Sequence, residues 1–273
     1  MSTFLYGGHV RANGIRQHYL RYGPAQGADP DLDPVIVVPG ITSPAATWDF
    51  VGRRFGAGLD TYVIDVRGRG LSEASDGLDY RLGAQADDLV ALAQALGLAR
   101  YSVVGHSMGA RIGARAAAMR PAGLARLAMI DPPVSGPGRR PYPAQLPWYL
   151  DSMALAREGT DLEGMRRFCP TWSDAHLRIR AQWLHTCNEH AIRASFEGFG
   201  TDDLHADLRR IEVPVLLMAA ARGDVVRPED VEEIRGLLPG MAFTRVPDAG
   251  HMIPYDNEDG FHRAFGDFLG RPV

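Results

Sequence analysis

Gly105-His106-Ser107-Met108-Gly109 is the stretch whose reading decides the fold. Before it stands Tyr101-Ser102-Val103-Val104, a β-branched run that reads as a short buried strand. After it stands Ala110-Arg111-Ile112-Gly113-Ala114, which reads as a helix. A serine on so sharp a strand-to-helix turn has an exposed hydroxyl and a strained backbone, and flanking glycines are needed because a β-carbon at either place would crowd the turn. G-x-S-x-G in strand-turn-helix context is a nucleophile elbow, so the expectation is a serine-nucleophile hydrolase.

Working outward, residues 8–22 hold two short alternating segments around Asn13-Gly14, a strong hairpin signal. A polar loop from Asp29 to Pro34 leads to Val35-Ile36-Val37-Val38, a continuous apolar run of the kind buried inside parallel sheets. Thr61 to Asp65 reads as the next strand, and helical periodicity covers Gln85 to Leu98, with Leu89, Leu92, Leu96 and Leu98 on the apolar side. Beyond the elbow, strands are expected at Leu127–Ile130, Pro214–Met218 and Phe243–Val246, with a closing helix over Gly260–Leu269. Strands separated by helices imply an α/β fold with a mostly parallel, eight-stranded, doubly wound sheet. Residues 135–200 break the rhythm. They open on Gly136-Pro137-Gly138 and run into amphipathic segments rich in Trp, Met and Arg. An insertion there lies above the carboxyl edge of the sheet, where substrates of open α/β sheets bind. The expected division is a core of residues 1–134 and 201–273 with a helical cap over 135–200.

A serine hydroxyl needs a base, and the base needs an orienting acid. His251 fits the base, since it follows the last strand in Pro247-Asp248-Ala249-Gly250-His251. The other histidines lie in the hairpin (His9, His18), in the cap (His176, His185, His190), just after it (His205) or on the closing helix (His262), and His106 should pack beside the serine. Two aspartates qualify as the acid. Asp224 follows the strand at 214–218, or else caps the helix starting near Pro228. Asp131 follows the strand at 127–130, where Pro132 disfavours the α region and so predicts an extended backbone. Chemistry alone does not separate them. The oxyanion formed on attack needs preorganised N–H donors, expected from Met108 and from Ile41 in Pro39-Gly40-Ile41-Thr42, with Trp48 and Phe50 walling the acyl pocket. The Gly-rich Asp65–Ser72 segment is no nucleotide fingerprint and reads as a loop bracing the elbow.

Composition sets the exclusions. Apolar residues make up 45% and charged residues 23%, the ordinary balance of a globular protein. Twenty-nine basic against 33 acidic side chains give a net charge of −4, without long runs of one sign, so neither nucleic acid nor an anionic membrane is an expected partner. Met1–Gly7 lacks the basic segment and apolar core of a leader, and no apolar stretch approaches the ~18 residues of a spanning helix. Cys169 and Cys187 are the only cysteines, which favours reduced thiols and a cytoplasmic location, and neither has partners at metal-ligand spacing. No metal or organic cofactor is expected, and the chain fits a monomer or a homo-oligomer.

Pro39-Gly40 with Trp48, the Asp65–Ser72 loop, the elbow and Gly250-His251 together resemble the α/β-hydrolase superfamily over nearly the whole chain. Ile130-Asp131-Pro132 and its spacings to Ser107 and His251 are similar to the amide hydrolases of nicotinate and vitamin B6 breakdown, which carry their acid after the sixth strand. The resemblance implies Ser107, His251 and Asp131 as catalytic residues. It implies hydrolysis of an N-acyl, most simply N-formyl, amide of a small carboxylic acid. Asp224, a carboxylate at the more usual position, is the departure from that pattern. A carboxylate-bearing substrate would need a cationic anchor among Arg139, Arg140, Arg166, Arg167, Arg178, Arg180 and Arg193. The alternatives are an acetamidomethylene-type amide hydrolase, an ester or carbon–carbon hydrolase of another ring-cleavage acid, and a non-catalytic ligand receptor on the same fold.

Overall fold

The computed structural model describes residues 3–269 apart from positions 25 and 30, together with residue 273. Met1 and Ser2, where the leader reading begins, and Pro30 of the polar loop lie outside the described residues. The hairpin pairs β1 (Phe4–Ala12) with β2 (Ile15–Tyr22). Asn13 and Gly14 take φ of 49° and 77°, the left-handed pair that a tight two-residue turn requires. Then come β3 (Val35–Val38), α1 (Asp49–Phe55), β4 (Thr61–Ile64) and α2 (Leu82–Ala95). The helix ends sooner than its apolar period suggests. Gly97 turns left-handed at φ 69°, and the N–H groups of Gly97 and Leu98 close back on Gln94 and Ala93. Leu98 therefore lies beyond the helix, in the position where such a cap makes its apolar contact.

β5 (Tyr101–His106), α3 (Met108–Ala118) and β6 (Leu124–Ile130) follow, β6 starting earlier than expected. The stretch after β6 carries α4 (Leu146–Glu158), α5 (Leu162–Arg166), α6 (Asp174–Trp183) and α7 (Glu189–Thr201). The chain then forms α8 (Leu204–Leu208), β7 (Val215–Ala220), α9 (Pro228–Leu237), β8 (Ala242–Val246), α10 (Ile253–Asp256) and α11 (Glu258–Leu269). The eight strands lie in the order β1-β2-β4-β3-β5-β6-β7-β8, with only the β1–β2 and β2–β4 pairs antiparallel. This is the mostly parallel, eight-stranded sheet that the sequence predicts.

Successive residues of each central strand enter opposite cores. Ile36, Val38, Val103, Leu127 and Leu217 join the core that takes in α2, α3 and α9, whereas Val35, Val37, Val104, Ala128 and Leu216 pack with α1 and α11. Burying such side chains contributes about 1.5–3 kcal/mol each, which fixes the register, since a one-residue slip would exchange the two faces. The register brings the carboxyl ends of β3, β5, β6, β7 and β8 to one edge. No helix among the described residues is long and apolar enough to cross a membrane.

Candidate active site

At the end of β5, Ser107 takes φ 54° and ψ −114°, a conformation that costs of order 1–3 kcal/mol for a non-glycine residue. The surroundings enforce it. A β-carbon on Gly105 would strike the Gly109 carbonyl, and one on Gly109 would strike the carbonyl of Val38 on the neighbouring strand. The turn presents Ser107 Oγ to His251 Nε2 at 3.0 Å, and His251 Nδ1 lies 2.7 Å from Asp131 Oδ2. An Nδ1–H donated to the carboxylate leaves the Nε2 lone pair free to accept the serine proton, the assignment the network favours.

Asp131 is fully buried and also accepts a hydrogen bond from the Ala220 N–H at 3.2 Å through Oδ1. Its backbone is not extended as Pro132 suggests: φ is +44°. Tertiary bonding overrides the local preference, because the Asp131 N–H donates to Met218 O at 2.8 Å while the side chain turns toward β7 and His251. Aspartate tolerates the left-handed region better than most residues. Asp224 reaches the edge of the same cavity but is bonded away from the histidine. Its carboxylate accepts from Arg227 Nε and Nη2 at 2.6 and 2.9 Å, and its side chain is 59% exposed. Nor does it cap α9, whose N-cap is Arg227.

His251 is held at its backbone as well. His106 Nε2 donates to the His251 carbonyl at 2.8 Å, and Gly250 N–H donates to Asp256 Oδ2 at 2.8 Å. Burial, reinforced by the neighbouring His251, pushes the His106 imidazole down to about 3, so it is a neutral spacer and not a second base. Met108 opens α3, and its N–H has no helical carbonyl behind it. The Ile41 N–H, on the loop after β3, donates to no described residue. Both are available to an oxyanion.

The Asp65–Ser72 loop braces a different element from the one expected. β4 is separated from β5 by β3, and Asp65 accepts from the Ala45 and Leu71 N–H groups at 2.6 and 3.0 Å. Arg69 donates to the Ile41 carbonyl at 3.1 Å. The loop thus holds the segment after β3, and reaches the elbow only where Arg69 Nη2 meets Met108 Sδ at 3.4 Å.

Above this edge lies a cavity of about 670 Å³, lined at its base by Gly40, Ile41, Ser107 and His251. Trp48 and Phe50 do not wall it. Trp48 is buried behind His106, and Phe50 packs on His176 and Tyr255. The wall comes instead from Tyr142, Trp148, Tyr149, Phe168 and Trp172. Arg180 of α6 also lines the cavity, 3% exposed, its guanidinium 5.6 Å from the rings of both Trp148 and Trp172. Among the described residues its only hydrogen bonds are long ones to Thr42, at 3.3 Å to the carbonyl and 3.5 Å to the hydroxyl, and its Nε has no partner there. Among the described residues no carboxylate pairs with it. Arg139, Arg140, Arg166 and Arg193 are instead engaged with Glu233, Asp230, Asp174 and Glu189. Arg167 and Arg178 are exposed. Arg180 and the aromatic wall were legible only as a Trp- and Arg-rich composition, without a spacing to select them.

Among the described residues no group of three or more His, Cys, Asp or Glu is placed to hold a metal ion, and both cysteines are buried and free. What the arrangement can do is acyl transfer: a nucleophile, a base, an acid and two unspent N–H donors converge on one cavity.

The chain belongs to the alpha/beta hydrolase fold family, whose model matches residues 33–258, and it is a hydrolase of that family. It is 55% identical over all 273 residues, covering the whole of both chains, to the N-formylmaleamate deformylase of Pseudomonas putida KT2440. The solved structure of the N-formylmaleamic acid deformylase of Pseudomonas putida S16, a serine-to-alanine variant, superposes with a TM-score of 0.90 at 49% identity, over 95% of this chain and all of that one. E-2-(acetamidomethylene)succinate hydrolase superposes at 0.78 with 22% identity, over 98% of this chain and 99% of that one, a likeness of fold alone.

Proposed function

We propose that this chain hydrolyses N-formylmaleamate to maleamate and formate. The observation that carries the reading is the full-length 55% identity to a deformylase of that substrate. Arg180 favours it over a dicarboxylate: the cavity holds one buried guanidinium, and among the described residues no carboxylate lies at ion-pair distance from it, Asp224 and Asp256 of the lining being bonded elsewhere. An unpaired buried cation costs several kcal/mol, and N-formylmaleamate brings one carboxylate to offset it.

Ser107 attacks the formyl carbon while His251 Nε2 takes its proton, and Asp131 stabilises the imidazolium. The Ile41 and Met108 N–H groups receive the oxyanion. Collapse breaks the formyl C–N bond, His251 returns the proton to the leaving nitrogen, and maleamate departs. Water then attacks the formyl-serine with His251 as base, releasing formate and restoring Ser107.

The test is formate release from N-formylmaleamate by the purified protein. Turnover is expected, with Ser107→Ala reducing it by about 10⁴-fold or more. A protein that turns over E-2-(acetamidomethylene)succinate but releases no formate from N-formylmaleamate would overturn the reading.

A further inference from the structure

His251 Nε2 has two hydroxyl groups within reach, and the reaction uses only one. Ser107 Oγ stands at 3.0 Å and Tyr142 Oη at 3.2 Å. A neutral imidazole with its Nδ1–H committed to Asp131 has a single lone pair on Nε2, so it accepts from one hydroxyl at a time. Attack requires that Ser107 be that donor, and the Tyr142 hydrogen must then point somewhere else. Tyr149, from α4, donates to Tyr142 Oη at 3.3 Å and occupies an acceptor position on that oxygen. Both phenols are buried, yet both line the cavity. With Tyr149 and His251 on two sides, and the Ser107 hydroxyl also within hydrogen-bond reach, the Tyr142 proton points over Ser107, where a leaving group takes the place of the serine oxygen as its acceptor once Ser107 is acylated.

We propose that Tyr142 is a catalytic residue of this site, donating a hydrogen bond to the leaving amide as the carbon–nitrogen bond breaks. The inference rests on the deformylase reading above. In that step the electron pair of the formyl C–N bond passes to a nitrogen conjugated with its own carbonyl group. The negative charge is therefore shared with that carbonyl oxygen until His251 delivers its proton to the nitrogen. Tyr142 Oη stands beside the nitrogen atom that hands this proton over. It is placed to donate to the departing amide while keeping its own proton throughout. Burial raises the Tyr142 pKa above that of an ordinary phenol, so the group stays a neutral donor. The same placement explains why a tyrosine from the cap is set against the base: an amide is a poor leaving group, whereas an activated ester needs no such help.

That difference supplies the test. Turnover of N-formylmaleamate by the unaltered protein is measured first and bears on the deformylase reading alone. Tyr142→Phe is then compared with the parent on two reactions, amide hydrolysis and the acylation burst with p-nitrophenyl acetate. Loss of one hydrogen bond to developing charge should lower kcat on the amide by roughly 10- to 100-fold. KM and the burst rate should each stay within about threefold, because neither depends on a bond made only as the C–N bond breaks. Tyr149→Phe, which frees the Tyr142 rotor without removing its hydroxyl, should show a smaller loss with the same amide selectivity, and it carries the test if Tyr142→Phe folds poorly. An equal fall on both reactions would mean that Tyr142 only shapes the pocket. An unchanged amide rate would also overturn the proposal. If the parent leaves N-formylmaleamate untouched, the amide-to-ester ratio is read on E-2-(acetamidomethylene)succinate and the two failures stay separate.

Discussion

The floor of the cavity, at the carboxyl edge of the sheet, is held by backbone geometry, whereas its roof, the helices between β6 and β7, is held by side chains. Below, Ser107 and Asp131 both sit at positive φ, and glycines stand where a β-carbon would collide. Above, Trp172 stacks on Tyr255 with ring centres 3.9 Å apart, Trp148 and Trp172 flank Arg180, and Tyr142 leans on Phe199. A floor of this kind tolerates almost no exchange, because each residue type is dictated by a conformation. A roof of this kind can be re-lined without altering the chemistry beneath it. The division teaches where reaction type and substrate choice are stored.

The most direct way to break the comparison is to change the floor without changing its shape. Asp131→Asn keeps the volume and tolerates φ of +44°, and its carbonyl oxygen can still accept from the Ala220 N–H. Its amide would face His251 Nδ1 as a donor, forcing the proton to Nε2 and turning the base into a donor toward Ser107. The rate should fall about 10⁴-fold, with the thermal midpoint nearly unchanged. A loss below tenfold, in a variant shown to be folded, would remove Asp131 from the reaction.

Much of the floor was legible in the sequence because its demands are local. G-x-S-x-G between a strand and a helix, Asn-Gly in the hairpin and Gly-His after the last strand each tie a residue type to a conformation within a few positions. The roof was not, because its selections are tertiary. Arg180 differs from Arg178 only in the face of α6 that it occupies, and Trp148 and Trp172 meet it from different segments. Trp48 shows the converse error. Its place near the oxyanion loop suggested a pocket wall, yet it is fully buried against His106 and does not line the cavity. The backbone of Asp131 was misread for a related reason: Pro132 sets a preference, and bonds from β7 outweigh it.

Acid should loosen the packing beneath the site as well. His106 and His262 are both pushed down to about 3 by burial, from an ordinary value near 6.5. A folded pKa below the unfolded one means that the unfolded chain binds more protons in that window. Stability is therefore fully present above pH 6.5 and lost as the pH falls toward 3. At pH 5 the two together should cost about 4 kcal/mol relative to pH 7. Urea unfolding at both values measures this, and a flat profile would mean that neither histidine is held neutral by the fold.

In the roof, Arg180→Met tests whether recognition is separable from chemistry. Truncating one partner of a buried ion pair costs about 2–5 kcal/mol of binding, so KM for a carboxylate substrate should rise about 100-fold while kcat changes far less. The free protein should be no less stable, since the variant removes a buried cation that lacks a protein counter-ion. An unchanged KM would assign the carboxylate to another group.

The smallest effect is expected where floor and roof meet, at Asp224. Its loop passes directly over the acid: a β-carbon on Gly223 would stand 3.7 Å from both Asp131 Oδ2 and the His251 backbone nitrogen. Yet the Asp224 side chain turns to Arg227, and its carbonyl is held by Arg140, from the stretch after β6, at 3.1 Å. β6 and β7 are neighbours in the sheet, so the loops after both strands pass beside the same histidine, and sequence position cannot separate their aspartates. Orientation does. Asp224→Asn leaves an acceptor for Arg227 and should change kcat/KM by less than about threefold, as expected for an exposed ion pair. Measuring it beside Asp131→Asn on one substrate decides between the two carboxylates. Should Asp224→Asn be the crippled variant and Asp131→Asn nearly normal, the acid is carried by the roof side of the loop, and the separation of chemistry from recognition drawn here fails at its most important residue.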